Sequence, residues 1–127
     1  MLAQPAFRED CSVIQFYAAG PYSAPDPQAI LENINTSLAV AVHIASKTGW
    51  FPIVPHSSGS HCRTWEEAMN DCRATLRAMR PGIDVLVMLP GWRDSPGAVE
   101  ERDLALSLGL KVLTCADVLN TSFVAPV

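Results

Sequence analysis

Long apolar runs are missing from this 127-residue sequence: Pro, Asn or a charged side chain interrupts each hydrophobic stretch well short of the roughly 20 residues that cross a bilayer. The beginning of the sequence carries Arg8, Glu9 and Asp10 where a secretory leader has a basic and then an apolar segment. Positive charge is also scarce. Nine Lys and Arg stand against thirteen Asp and Glu, for a net charge of −4 and no basic cluster, which leaves nothing to grip a phosphate backbone. Polymeric nucleic acid and membrane are therefore not expected partners, and the expectation is a soluble, cytoplasmic protein. The four cysteines, Cys11, Cys62, Cys72 and Cys115, form no C-x-x-C pair, so neither a zinc ribbon nor a dithiol redox motif is present, and they read as structural thiols. His56, His61 and Cys62 lack the carboxylate or second cysteine pair that would complete a metal site, and no metal is expected. There is no Walker loop, no dinucleotide fingerprint at the first turn and no Gly-x-Ser-x-Gly elbow. ATP and NAD enzymes of the common kinds are therefore not expected.

What is present reads as one domain over residues 1–127, with a polar lead over 1–12 and a tail over 121–127. A chain of this size buries roughly two-thirds of its unfolded surface, enough for a core without disulfides. Val13 to Ala19 is a short apolar run closed by Gly20-Pro21, the form of a buried strand entering a turn. Ile30, Ile34, Leu38, Val42 and Ala45 then recur at helical spacing and predict a helix ending at Gly49. A short strand follows over Phe51 to Pro55. Thr64 and Glu67 have the spacing of a capping box and open a second helix through Met69, Cys72, Leu76 and Met79. Asp84 to Leu89 is the clearest strand. Ser95 as N-cap and Pro96 behind it start a third helix that runs to Gly109, and Lys111 to Thr114 is a fourth strand, followed by a short helical turn. Strands that are apolar throughout and alternate with helices are those of a parallel sheet covered on both faces. The expected fold is three-layer α/β, a Rossmann-like or flavodoxin-like doubly wound sheet of strand order 2-1-3-4, with room for a fifth strand. Ligands of such sheets sit beyond the carboxyl ends of the strands where the winding reverses, here between strands one and three. The loops Gly20 to Ser23 and Gly91 to Ser95 are expected to meet there.

One local conflict stands out. Gly97, Ala98, Leu104, Ala105 and Leu108 share a face of the third helix, and Glu101 lies in the middle of it. Carboxylates are rarely buried without a partner or a task, so Glu101 either pairs with a nearby arginine or serves the cleft above it. Its neighbour Glu100 is turned about 100° away, where solvation is ordinary. At the start of this helix, Gly97 and Ala98 leave room beside free N–H groups, an arrangement that attracts a phosphate or carboxylate. Tyr22, His56, Trp65 and Trp92 fall in or near loops. Aromatics there either stack on a base or sugar or pack as ordinary loop side chains, and ordinary packing is the reading for Trp65. Asp84 begins its strand at the opposite edge, which suits a structural role.

Taken together, Tyr17-Ala-Ala-Gly-Pro-Tyr22, Asn33-Ile34, Pro52-Ile-Val-Pro-His56, the segment Asp84 to Trp92 with its Pro-Gly-Trp ending, and Ser95-x-Gly-Ala-x-x-Glu101 resemble the nucleoside 2-deoxyribosyltransferase-like superfamily. The likeness is to its small phage and bacterial branch, and the superfamily includes nucleotide N-glycosidases. It runs from about Val13 to Val112. The resemblance implies that Glu101, four residues after Gly97, is the nucleophile that attacks the anomeric carbon. Six residues before it, where transferases proper carry aspartate, this chain has Ser95, as in the branch that hydrolyses nucleoside 5′-monophosphates and binds phosphate with that serine. A second acid is implied ahead of the third strand, with Asp71 as the candidate. Gly20, Pro21, Tyr22, Asn33, His56, Trp92, Ser95, Gly97 and Ala98 become the expected substrate contacts, with no metal or organic cofactor.

The expected activity is cleavage of the N-glycosidic bond of a (deoxy)nucleoside 5′-monophosphate through a covalent glycosyl-glutamate, with water or a second base as acceptor. A nucleophile must be ionised, so the helix N-terminus is expected to outweigh the apolar surroundings of Glu101. Two rivals remain at this point: a non-catalytic nucleotide-binding module of the same fold, and a purely structural or interaction domain. Resemblance and the apolar tail, Phe123 to Val127, lead to the expectation of a homo-oligomer.

Overall fold

The computed structural model describes residues 13–21, 26–55 and 64–120. Four strands, β1 (Gln15–Ala19), β2 (Phe51–Ile53), β3 (Val85–Met88) and β4 (Lys111–Thr114), form one parallel sheet in the order β2-β1-β3-β4. Tyr17 stands beside Ile53 on one side and Leu86 on the other, and Leu86 in turn beside Val112. This is the doubly wound arrangement that the alternation of elements predicts. Among the described residues there is no fifth strand.

Each crossover carries a helix: α1 (Pro27–Thr48), α2 (Trp65–Arg77) and α3 (Pro96–Ser107), with the short α4 (Cys115–Asn120) after β4. Side chains alternate along a strand, so β1 splits its residues between two cores. Phe16 and Ala18 pack with Val85, Val87, Ala41, Ile44 and Val118 in the layer of α1 and α4. Tyr17 and Ala19 pack with Leu86, Met88, Cys72, Leu76, Ala98 and Ala105 in the layer of α2 and α3. No helix among the described residues is long and apolar enough to cross a membrane.

The helix ends follow their sequence signals. Asp26 caps α1 through the Ala29 N–H, Thr64 and Glu67 form the reciprocal capping box of α2, and Ser95 caps α3 with Pro96 as first residue. The face of α1 differs from its predicted stripe. Its buried positions are Ser37, Ala41, Ile44 and Thr48, whereas Leu38 is 37% and Val42 62% exposed. Ile30, Ile34 and Ala45 are half-buried. Small residues face the sheet because they let the helix axis come close, and Thr48 folds its hydroxyl onto the Ile44 carbonyl at 2.8 Å, so polar positions fill the core side without cost.

At the amino edge of the sheet, Asp84 is fully buried just before β3. The Arg80 guanidinium grips both its oxygens at 2.6 and 3.0 Å, and the Gln15 and Arg80 backbone N–H groups donate to it as well. Its role is structural, as its position predicts. At the outer edge, the Phe51 N–H points inward to the Ile14 carbonyl, so Pro52, the next residue, turns its nitrogen away from the sheet.

Candidate functional site

The site is built around α3. Ser95 stops the chain in extended backbone just beyond β3, and its hydroxyl accepts the Ala98 N–H at 3.3 Å. From that cap, helical spacing turns Ala98, Glu101 and Ala105 toward the sheet, and all three are buried. Alanines above and below let the helix lie close, so the one long side chain between them reaches β1. There the Tyr17 hydroxyl donates to Glu101 Oε2 at 2.6 Å. Among the described residues, Tyr17 is the only buried strand residue with a hydroxyl. A third group comes from α2: Cys72 is buried in the same core cluster as Tyr17.

Glu101 is 2% exposed and, among the described residues, has no cationic partner. Arg73 of α2 instead binds Glu100 and Glu66. Of the readings open from sequence, the ion-paired carboxylate is thus set aside by its neighbour, which takes the arginine. Burial pushes the Glu101 carboxyl up to about 7, against the hydrogen bonds from Tyr17 and Cys72, and the Glu100 charge adds to the rise. The expectation that the helix N-terminus wins does not hold. Glu101 lies beyond the first turn, where the dipole has fallen off, and desolvation acts at full strength. Burial likewise raises the Cys72 thiol to about 12, so it stays protonated near neutral pH.

The two expected loops do meet at the carboxyl edge. The Leu89 N–H donates to the Ala19 carbonyl at 2.8 Å, and a Cβ added to Gly20 would lie 2.9 Å from Leu89 Cβ. Gly91, at φ 85°, faces Pro21, whose Cγ would be 3.1 Å from an added Cβ. Gly20 therefore serves close packing of β1 on β3. Gly97 is likewise filled from inside the fold: Met69 Sδ and Trp65 Nε1 would be 3.3 and 3.8 Å from its missing Cβ. The absence of a side chain there admits α2, with the Trp65 indole at the mouth of the site.

Other predicted residues are placed as follows. Asp71 lies on the exposed side of α2, and its neighbour Cys72 is buried. Asn33 is half-buried on α1, across the sheet from Glu101. Trp92 sits in a single 3-10 turn over Trp92–Asp94 and packs against the Tyr17 core, with the Arg93 and Arg102 guanidinium carbons 4.7 and 5.6 Å from its ring centroid. Its ring holds cations where a base was expected. Tyr22, His56, His61, Cys62 and the Phe123 to Val127 tail lie outside the described residues. Sequence reasoning missed Tyr17 as the partner of Glu101. The signal was available: a buried carboxylate needs a donor, and the buried strands offer one hydroxyl.

No curated protein matches the chain. Residues 14–114, and with them the whole Tyr17–Cys72–Glu101 cluster, match the model of a protein family described as a domain of unknown function, DUF4406, and the chain belongs to that family.

Proposed function

We propose that the chain is an N-glycosidase or 2-deoxyribosyltransferase acting on a (deoxy)nucleoside 5′-monophosphate, as the resemblance to the nucleoside 2-deoxyribosyltransferase-like superfamily implies. The observation that carries this reading is Glu101: a buried carboxylate without a counter-charge, oriented by Tyr17, below the point where the winding of the sheet reverses. Structural carboxylates in the same molecule look different, since Asp84 is clamped by arginine.

In the proposed reaction the ionised Glu101 attacks C1′ through an oxocarbenium-like transition state, the C1′–N bond breaks with its electron pair leaving on the base, and water or a second base opens the glycosyl ester. With its pKa near 7, Glu101 is about half ionised at neutral pH, and the same group as a carboxylic acid can hand a proton to a leaving base. The phosphate is assigned to the start of α3 at Ser95, Gly97 and Ala98. No metal or organic cofactor enters this mechanism. The second reading is a nucleotide-binding module of the same fold that does not turn over. The chain is also proposed to assemble with copies of itself; the apolar outer face of α1 at Leu31, Leu38 and Val42 supports this, and sedimentation equilibrium decides it.

The test is chromatographic detection of free base from a panel of nucleosides and nucleoside 5′-monophosphates. Release by the native protein that falls at least about a thousandfold in Glu101→Gln is the expected outcome. Undiminished release by the variant removes Glu101 as nucleophile. Tight nucleotide binding without release over hours establishes the module.

A further inference from the structure

Two arginines are engaged inside the fold, Arg73 by Glu66 and Glu100 and Arg80 by Asp84. Arg93 and Arg102 are placed differently. Their guanidinium carbons lie 4.7 and 5.6 Å from the centroid of the Trp92 ring, so two positive charges converge on one indole. Arg93 is exposed and, among the described residues, ion-pairs with no carboxylate, although Asp94 follows it. Arg102 pairs with its neighbour Asp103 at 3.3 Å in solvent, where such a pair adds little. Two guanidiniums on one ring repel each other. An anion shared between them reverses the sign.

The cluster is built into the carboxyl edge of the sheet. Trp92 opens the 3-10 turn after β3 and packs against the Tyr17 core, which fixes its ring. The Ser95 N–H donates to the Trp92 carbonyl at 3.0 Å, so the turn runs directly into α3. Arg102 comes about two helical turns after Ser95, on the same side of α3, and helical side chains lean back toward the helix start; that is how it reaches Trp92. A ring contact leaves the N–H donors of a guanidinium to bond an anion, and their fork matches phosphate oxygens.

We infer that Arg93 and Arg102, carried on Trp92, hold the phosphate of a nucleoside 5′-monophosphate and set the preference for nucleotide over nucleoside. This deepens the reading of the site as one for nucleotides and rests on it, but not on bond cleavage. A phosphomonoester fits because it brings close to two negative charges and three acceptor oxygens to two forked cations. Asp94 and Asp103 border the pair and oppose any general attraction of anions, so recognition depends on direct contact.

The experiment is an NMR titration of the native chain with ribose 5-phosphate and 2-deoxyribose 5-phosphate, which carry no base to release, against ribose and inorganic phosphate. The arginine Nε–Hε signals are followed, those of Arg93 and Arg102 assigned by their loss in the variants. Both signals shift saturably with a sugar phosphate and stay in place with ribose. Arg93→Gln and Arg102→Gln each weaken binding at least about tenfold, Arg93→Lys recovers part of the loss, and Arg77→Gln on α2 changes nothing. If Arg102→Gln does not fold, Arg93→Gln decides, since that side chain is exposed in a turn. No saturable shift in the native chain, or unchanged binding in Arg93→Gln, overturns the inference. Inorganic phosphate binding as tightly as the sugar phosphates also overturns it and leaves a site for the free ion. Base release fails separately: its absence from the native chain removes the glycosidase reading while lost binding in the arginine variants keeps the subsite. Where release is observed, Arg93→Gln lowers kcat/KM for the monophosphate at least about tenfold and leaves that for the nucleoside within about twofold.

Discussion

A carboxyl group whose pKa lies near 7 in the folded chain and near 4.5 when unfolded makes stability depend on pH in a definite sense. Between those values the unfolded chain has given up a proton that the native one keeps. The native state therefore loses stability as pH rises from about 4.5 through 7, by on the order of 3 kcal/mol in all. Glu101→Gln removes that penalty. It is expected to leave stability within about 0.5 kcal/mol of native at pH 5 and to raise it by about 2 kcal/mol at pH 8, read from urea midpoints at both values. Asp84 runs the other way. Although burial works against its charge, the Arg80 guanidinium and the backbone N–H groups of Arg80 and Gln15 prevail and hold it below the usual carboxylate range. Its contribution is present above the unfolded pKa and is lost in acid. Glu101 was legible as an oddity because helical spacing alone places it among Ala98 and Ala105. Its ionisation was not, since desolvation depends on how completely three elements close over it.

At the scale of elements, capping chemistry was the most readable layer. Thr64 with Glu67, and Ser95 with Pro96, each start a helix where the sequence says one should start, because the cap is a local contact between near neighbours. The face of α1 was misread for the opposite reason. Counting large apolar residues selects Leu38 and Val42, but a helix laid closely on a sheet prefers Ala41 and Ser37 beneath it, and only the partner surface decides that. The two assignments predict different mutational costs. Ile44→Ala should lose about 2–5 kcal/mol, whereas Val42→Ser should stay within about 0.5 kcal/mol, both measured by chemical denaturation. A large loss at Val42 with a small one at Ile44 would restore the face read from sequence. Asp71 illustrates the same limit: a shift of one residue, about 100° of helix, separates an exposed carboxylate from the buried thiol of Cys72.

For the molecule as a whole, strand order followed from alternation and crossover handedness, which are global rules that survive errors in individual boundaries. The convergence of the first and third strand ends followed too, and Gly20 is the residue it depends on. An alanine there brings a Cβ to 2.9 Å from Leu89 Cβ, an atom next to the backbone that cannot swing aside. Gly20→Ala should force β1 and β3 apart at their carboxyl ends and cost about 1–3 kcal/mol by urea midpoint; an unchanged midpoint would show that this junction yields easily. Each margin of the sheet also lacks a free donor at one position. On the β2 side Pro52 offers no donor, and on the β4 side the Thr114 N–H is consumed by the Asp117 carboxylate at 3.2 Å. Addition of a foreign strand is thereby hindered at one position on either side.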